Sequence, residues 1–177
     1  MKLVILDRDG VINLDSDQYI KSPEEWKPIA GSLEAIARFT QAGFRVVVAT
    51  NQSGLGRGLF DMATLNAMHD KMHKAVNQLG GRIDAVFFCP HAQDAGCACR
   101  KPQPGMLLEI AARFNLALAG VPVIGDSLRD LQAASAAGAR PILVLTGKGE
   151  QTLKAGGLPE GTEVHQDLAA AAMALAA

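Results

Sequence analysis

Residues 3–10 read LVILDRDG, so an apolar run leads directly into two carboxylates. The four apolar residues predict a strand buried on both faces, as in a parallel sheet that helices cover on each side. Asp7 and Asp9 then stand at the carboxyl end of this strand. Alternation along an extended chain puts both carboxylates on one side and turns Arg8 away. A turn, a calcium-ligand pair and a catalytic pair remain possible from these residues alone.

The rest of the chain alternates predicted strands with predicted helices. Further strands are expected at 44–49, 83–88, 121–124 and 141–145, and helices at 32–42, 61–79, 106–114, 129–137 and 167–177. This alternation predicts a three-layer, doubly wound α/β fold with a parallel, Rossmann-like sheet. At 177 residues the chain is expected to form a single domain, residues 1–177.

Composition and charge exclude several classes of protein. Hydrophobic residues make up 49% and charged residues 20%, which is typical of a globular protein. A net charge of −1 does not provide the basic surface that nucleic-acid binding requires. No apolar run has the length of a membrane span, which needs about 20 residues, or of a signal peptide. We therefore expect a cytoplasmic monomer without nucleic-acid or membrane partners.

Polar residues collect at the carboxyl ends of the predicted strands, where ligands bind in open parallel sheets. These residues are Asp7, Asp9, Thr50, Asn51, Gln52, Ser53, Asp126 and Asp130, together with Arg100 and Lys101 before the third long helix. Their carboxylates, hydroxyl group and lysine suit a hard cation such as Mg²⁺ together with an anionic substrate. A calcium loop does not fit, because Asp7 ends a strand and the twelfth position is Gln18 instead of glutamate. Turns and helix caps could account for each residue separately, but their shared location favours a site.

All three cysteines of the chain lie in the segment CPHAQDAGCAC, residues 89–99. Cys89, His91, Cys97 and Cys99 form a Cys₃His set, which is typical of tetrahedral zinc. Unrelated thiols are the alternative. With four protein ligands no position is left for water, so the predicted zinc is structural, and its loop leads directly into Arg100-Lys101.

Two histidines, His69 and His73, have the i, i+4 spacing that can chelate a metal. They lack the glutamate of the His-Glu-x-x-His motif, and we expect them on a solvated helix face.

Four segments in order, VILDRDGVI, VVVATNQSG, RKP and VIGDSLRD, resemble the motifs of the haloacid dehalogenase-like phosphatases over most of the chain. The residues of these motifs most resemble those of two branches of the family, the heptose bisphosphate phosphatases and the histidinol-phosphate phosphatases. The resemblance implies strand order 5-4-1-2-3 and a minimal cap, and the Cys₃His loop at 89–99 also belongs to this branch.

The resemblance implies a role for each catalytic residue. Asp7 would be the nucleophile that forms an aspartyl-phosphate, and Asp9 would protonate the leaving oxygen and then activate water. Mg²⁺ would be held by the carboxylates of Asp7 and Asp126 and by the carbonyl oxygen of Asp9. Thr50 and Lys101 would hold the transferring phosphoryl oxygens.

The implied substrate contacts come from the loop after the first strand and from the rim. They are Asp15, Asp17, Tyr19, Asn51, Gln52, Ser53 and Arg100, whereas Asp130 is expected to order Lys101 or the water shell of the metal. The implied activity is removal of the 7-phosphate of a heptose bisphosphate in the synthesis of ADP-heptose, a lipopolysaccharide core precursor. Histidinol phosphate is the alternative substrate, since its primary phosphate requires the same motifs.

A phospho-accepting receiver domain is a more remote alternative, because it also combines a carboxylate cluster with threonine and lysine. Its acceptor would follow a middle strand, but the third predicted strand leads into Cys89. A zinc-ribbon nucleic-acid module requires a basic surface that the charge balance does not provide.

Overall fold

A computed structural model describes residues 1–177 and contains one parallel sheet. The strands are β1 Lys2–Leu6, β2 Phe44–Asn51, β3 Ala85–Cys89, β4 Pro122–Gly125, β5 Arg140–Val144 and β6 Glu163–His165. They lie in the order β3-β2-β1-β4-β5-β6, so the doubly wound α/β fold and the order of the first five strands are confirmed. The sixth strand, at the β5 edge, was not predicted, because three residues carry too little pattern to distinguish them from a loop.

Seven helices and one 3₁₀ turn connect the strands. They are α1 Ser32–Gln41, α2 Ser53–Gly56, α3 Met62–Gln78, α4 Gly105–Phe114, α5 Leu128–Ala136, α6 Gly149–Ala155, α7 Leu168–Leu175 and the 3₁₀ turn Pro23–Glu25. The five predicted helices are present, and the short helices α2 and α6 are additional. Asp61 caps α3 by accepting a hydrogen bond from the backbone of Thr64 at 2.9 Å.

Helices cover both faces of the sheet and give two separate apolar layers. Val4 and Leu6 of β1 pack in the layer that contains α1, α3 and α7. Leu3 and Ile5, which point the opposite way, pack in the layer that contains α4 and α5. The continuous apolar run of β1 is thus explained by burial on both sides.

The order of the strands determines where the polar strand ends meet. β1 lies between β2 and β4, and the Asp7 backbone N–H donates to the Ile124 carbonyl at 2.9 Å. The chain leaves β1 towards β2 on one side and leaves β4 towards β5 on the other, which opens a crevice at the carboxyl ends of β1 and β4. None of the helices is long and apolar enough to span a membrane.

Candidate active site

A polar cleft of about 210 Å³ opens at the carboxyl ends of β1, β2 and β4. Every residue predicted for catalysis, substrate contact or Mg²⁺ lines it: Asp7, Asp9, Asp15, Asp17, Tyr19, Thr50, Asn51, Gln52, Ser53, Arg100, Lys101 and Asp126. Parallel pairing brings together residues that are more than 100 positions apart in the sequence. The cleft is thus a product of the strand order and not of any local segment.

Lys101 lies buried at the base of the cleft between two carboxylates. Its Nζ donates to Asp130 Oδ1 at 2.8 Å and to Asp7 Oδ1 at 3.3 Å. It also donates to the Ala49 carbonyl at 2.5 Å, at the end of β2. Burial alone would lower the pKa of this lysine, but Asp130 and Asp7 raise it. A cation is therefore held at this point beside Asp7.

Both oxygens of Asp130 are engaged by protein donors. Its Oδ1 accepts from Lys101, and its Oδ2 accepts from the backbone of Asp126, the backbone of Ser127 and the Ser127 hydroxyl at 3.0–3.2 Å. An oxygen of Asp130 also lies within 4.8 Å of oxygens of Asp7 and Asp126. Of the two roles expected for Asp130, this geometry favours the ordering of Lys101.

Asp126 is clamped against two glycines at the end of β4. Its Oδ2 accepts from the Lys148 backbone N–H at 2.9 Å, and Oδ1 accepts no hydrogen bond from the protein. A Cβ at Gly10 or at Gly147 would collide with this carboxylate, and both glycines have positive φ, at 84° and 56°. Positions 10 and 147 therefore require glycine. Burial and the neighbouring Asp130 raise the pKa of Asp126 to about 7.

The donor set fits Mg²⁺. Asp126 Oδ1 and Asp7 Oδ2 are free of protein hydrogen bonds, and no hydrogen bond is made to the Asp9 carbonyl oxygen. Burial and the surrounding carboxylates raise the pKa of Asp7 well above its ordinary value. A divalent cation relieves this repulsion, and oxygen ligands of this kind are those that Mg²⁺ prefers.

Arg8 differs from the sequence-based expectation. Its side chain does not turn away from the carboxylate pair but is fully buried against Asp9. Nε and an η nitrogen both contact Asp9 Oδ1 at 2.8 Å, and Asn13 Nδ2 donates to the same oxygen at 3.0 Å. The alternation rule describes where Cβ points, whereas a long arginine side chain can curl back under the strand end.

His69 was predicted on a solvated face of α3, and this prediction was wrong. The side chain is buried, and its Nε2 lies 3.2 Å from an η nitrogen of Arg8. Burial and the nearby guanidinium lower the pKa of His69 to about 4, so the ring is neutral and can accept this hydrogen bond. The i, i+4 partner His73 is half-buried and takes no part in the contact.

The last residues of β2 and the residue that follows it form the opposite wall. Asn51 accepts from the Lys101 backbone N–H at 3.1 Å and donates to the Lys101 carbonyl at 3.3 Å, which fixes the segment that carries the lysine. Gln52 donates to Thr50 Oγ1 at 2.9 Å and lies 3.5 Å from an Arg8 nitrogen. Gln52 thus has an internal role as well as its place in the cleft wall.

Three contacts hold the mouth of the cleft. Lys148 Nζ lies 3.5 Å from Asp15 Oδ2, which joins the loop after β5 to the loop after β1. Gln93 donates to the Tyr19 hydroxyl at 3.1 Å and accepts from Arg57 at 2.8 Å. An η nitrogen of Arg100 is buried without a hydrogen-bond partner, so its donor capacity is available to a ligand.

Cys89, His91, Cys97 and Cys99 converge at the far side of this mouth. Cys89 Sγ lies 2.7 Å from Cys99 Sγ and 3.5 Å from Cys97 Sγ, and His91 Nδ1 lies 3.3 Å from Cys99 Sγ. Burial opposes ionisation of Cys97, but the Arg100 backbone N–H and Cys89 lower its pKa to about 6. Three sulfurs and one imidazole nitrogen within 4.8 Å of one another are compatible with a zinc site.

Comparisons with known proteins show the family of this chain. The family model described as Polynucleotide kinase 3 phosphatase matches residues 2–129, and the one described as HAD-hydrolase-like matches residues 98–171. The D-glycero-beta-D-manno-heptose-1,7-bisphosphate 7-phosphatase of Bordetella bronchiseptica is 67% identical over 97% of this chain and 96% of its own. The chain belongs to the haloacid dehalogenase-like phosphatase family.

Two solved phosphatases of this family have the same fold. The D,D-heptose 1,7-bisphosphate phosphatase of B. bronchiseptica, crystallised with magnesium and phosphate, matches with a TM-score of 0.98 and 66% identity, over 99% of this chain and 98% of its own. The enzyme from Burkholderia thailandensis matches with a TM-score of 0.80 and 61% identity, over 98% of this chain and 97% of its own.

Part of the site of this haloacid dehalogenase-like phosphatase was not predicted from its sequence. Thr146, Gly147 and Lys148 come soon after the end of β5, so the strand-end rule that found the other residues could also have found them. Thr146 Oγ1 donates to the Gly10 carbonyl at 2.7 Å, which ties this loop to the first motif. No comparable signal existed for His69, which lies in the middle of a helix.

Proposed function

We propose that this chain is a Mg²⁺-dependent phosphatase that removes the 7-phosphate of D-glycero-D-manno-heptose 1,7-bisphosphate through an aspartyl-phosphate. The observation that carries the proposal is Asp7 beside buried Lys101 and next to Asp126, in a polar cleft. The names of the close relatives specify the substrate and the beta anomer. We extend both to this chain because the similarity covers 97% of it.

In the first step the Asp7 carboxylate attacks phosphorus and the bond to the sugar oxygen breaks. Lys101, held by Asp130, supplies positive charge beside Asp7 for the phosphoryl oxygens. Thr50 is oriented by the Gln52 amide, which donates to its Oγ1 at 2.9 Å. The Thr50 hydroxyl would donate a hydrogen bond to a second phosphoryl oxygen. Catalysis here is mainly positioning and charge stabilisation.

Asp9 would carry the proton in both steps. In its acid form it gives a proton to the departing sugar oxygen, so that an alcohol leaves instead of an alkoxide. In the second step the resulting carboxylate takes a proton from water, which attacks the aspartyl-phosphate and releases phosphate. Asp7 and the acid form of Asp9 are thereby regenerated.

We propose different roles for the two metals. Mg²⁺ would be held by Asp7, Asp126 and the Asp9 carbonyl, and it supplies charge neutralisation between nucleophile and phosphate. The Cys89–Cys99 set would hold a structural zinc, and its loop would be an insertion in a single domain of residues 1–177. Since Arg100 and Lys101 follow Cys99 directly, a rigid zinc loop places both cations at the cleft.

Substrate recognition is assigned to the mouth of the cleft. Asp15, Asp17 and Tyr19 line one side and would accept hydrogen bonds from sugar hydroxyl groups. Arg100, with a partnerless η nitrogen, also lines the cleft and would bind an anionic or polar group of the substrate. Asn51, Gln52 and Ser53 complete the wall.

The proposed function is tested by steady-state kinetics of the purified protein with Mg²⁺. The substrates are the beta and alpha anomers of the heptose bisphosphate and histidinol phosphate. The expected result is the highest kcat/KM for the beta anomer, with release of one phosphate per sugar. A higher kcat/KM for histidinol phosphate would contradict the proposed substrate, and no phosphate release from any of the three would contradict the activity.

A further inference from the structure

Arg8 and His69 are buried side chains that the proposed reaction does not use directly. Neither can touch the substrate, because Arg8 is 0% and His69 is 8% exposed. A buried guanidinium is costly unless its donors are paired, so its position requires an explanation. Its partners are Asp9, His69 and Gln52.

Protein donors converge on one oxygen of Asp9. Two nitrogens of Arg8 and Nδ2 of Asn13 all lie within 3.0 Å of Oδ1, while Oδ2 accepts no hydrogen bond from the protein. Rotation of the carboxylate by half a turn exchanges its two oxygens but leaves one held position and one free position. The two oxygen positions of Asp9 are therefore not equivalent.

The guanidinium is itself held from behind by a long helix. His69 lies on α3, a helix of 17 residues whose Met68 and Met72 are fully buried in the core. A neutral imidazole can accept from Arg8 at 3.2 Å, whereas an imidazolium would repel it. The contact links the core packing of α3 to the first motif.

We infer that Arg8 and His69 are positioning residues that make Oδ2 the proton-transferring oxygen of Asp9. The inference rests on the proposed acid–base role of Asp9. His69 fixes the guanidinium, the guanidinium together with Asn13 occupies Oδ1, and Oδ2 is left to protonate the sugar oxygen. A displacement of about 1 Å in such a group can reduce the rate about 100-fold.

The choice of leaving group separates positioning from general stability. A sugar alkoxide needs a proton as it leaves, whereas p-nitrophenolate leaves without one. The parameter kcat/KM includes only the steps up to formation of the aspartyl-phosphate, so it isolates the protonation of the leaving group. We compare kcat/KM for the heptose bisphosphate with that for p-nitrophenyl phosphate.

The informative variants remove the support but leave Asp9 in place. Arg8→Lys keeps the charge but loses the fork of donors, and His69→Leu removes the acceptor. Each is expected to lower kcat/KM for the sugar substrate about 10-fold and to change that for p-nitrophenyl phosphate less than about 2-fold. His69→Gln, which keeps an acceptor for Arg8, is expected to retain the sugar activity.

Matched controls and a reference variant complete the design. Arg113→Lys on the exposed end of α4 and His73→Leu on α3 should leave both values of kcat/KM unchanged. Asp9→Asn gives the reference, a selective loss of sugar activity. If Asp9→Asn lowered kcat/KM equally for both substrates, the acid–base role of Asp9 in the proposed function would be contradicted.

If Asp9→Asn selectively lowers the sugar activity, the Arg8 and His69 variants test their positioning role separately from the proposed function. Equal losses for both substrates in Arg8→Lys and in His69→Leu, or no loss in either, would overturn it. Equal sugar activity in His69→Leu and His69→Gln would also overturn it, because the acceptor would then be irrelevant. Melting temperatures measured alongside identify a variant that has merely lost its fold.

Discussion

At the scale of single residues, the site assigns different environments to carboxylates of the same type. Asp130 has both oxygens hydrogen-bonded, Asp126 keeps one free oxygen, and Asp9 has one oxygen held by Arg8 and Asn13. Asp7 lies partly exposed among them and has a raised pKa. The surroundings, and not the residue type, distinguish the metal ligand from the positioning group.

Asp7→Asn is expected to abolish turnover, with kcat lower by a factor of at least about 10³, because the amide cannot form the aspartyl-phosphate. The melting temperature of the metal-free protein should stay the same or rise, since the substitution removes a carboxylate from a repulsive cluster. Phosphate release and thermal unfolding give the two readouts. Retained activity in this variant would contradict the assignment of Asp7 as the nucleophile.

The lowered pKa of His69 predicts that the stability of the protein depends on pH. Its pKa is about 4 in the folded protein and near 6.5 when unfolded, so the unfolded chain binds more protons between these values. The free energy of unfolding should fall as pH drops from 6.5 to 4, by up to about 3 kcal/mol from this group. Urea unfolding at several pH values should show a smaller fall for His69→Gln than for the wild type.

The matched control is His73→Gln, one turn further along α3. It keeps Arg8 and His69 in place, so the wild-type fall should persist. A fall reduced to the same extent in both histidine variants would contradict the assignment to His69.

At the scale of elements, loops that follow different strands hold one another. The 146–148 loop after β5 clamps Asp126, and the Cys89–Cys99 loop at the end of β3 leads into Lys101. Helix α3 supports Arg8 from behind. Each strand end is therefore fixed by a segment that is distant in the sequence.

Gly147→Ala should weaken Mg²⁺ binding, because its Cβ would collide with the Asp126 carboxylate. The Mg²⁺ concentration for half-maximal activity is expected to rise about 10-fold, as for other disturbed supports of metal ligands. Gly120→Ala is the control, since Gly120 also has positive φ but has open space around it. If the Mg²⁺ concentration for half-maximal activity rose equally in both variants, backbone strain and not the collision with Asp126 would explain the effect.

Cys97→Ser should lower the zinc content of the purified protein and its melting temperature, because the loop has no apolar core of its own. Activity should fall as well, since Arg100 and Lys101 follow the loop. Asp94→Ser, in the same loop but outside the Cys₃His set, should keep both zinc and stability. Unchanged stability in Cys97→Ser without bound zinc would contradict a structural zinc.

At the scale of the whole molecule, the two proposed metals have separate sets of ligands and should respond to removal in different ways. Transfer into Mg²⁺-free buffer should stop turnover while zinc content and melting temperature stay nearly constant. Mg²⁺ alone should then restore activity. Turnover that persists without Mg²⁺, or recovery that requires added zinc, would contradict this division of roles.

The sequence by itself determined the main elements and the principal motifs. Apolar runs buried on both faces predicted the parallel sheet, and polar residues at strand ends predicted Asp7 and Asp126, since both signals are local. The Cys₃His set was predicted because its four ligands lie within eleven residues. The resemblance supplied the strand order that brings β1 and β4 together.

Only the tertiary structure decided where the side chains of Arg8 and His69 lie. Alternation along a strand describes Cβ directions, so it could not show that the Arg8 side chain curls back to Asp9. The burial of His69 depends on α3 packing over the end of β1, a contact between residues 61 positions apart. Contacts of this kind leave no periodic trace, because the geometry of the assembled sheet and helices creates them.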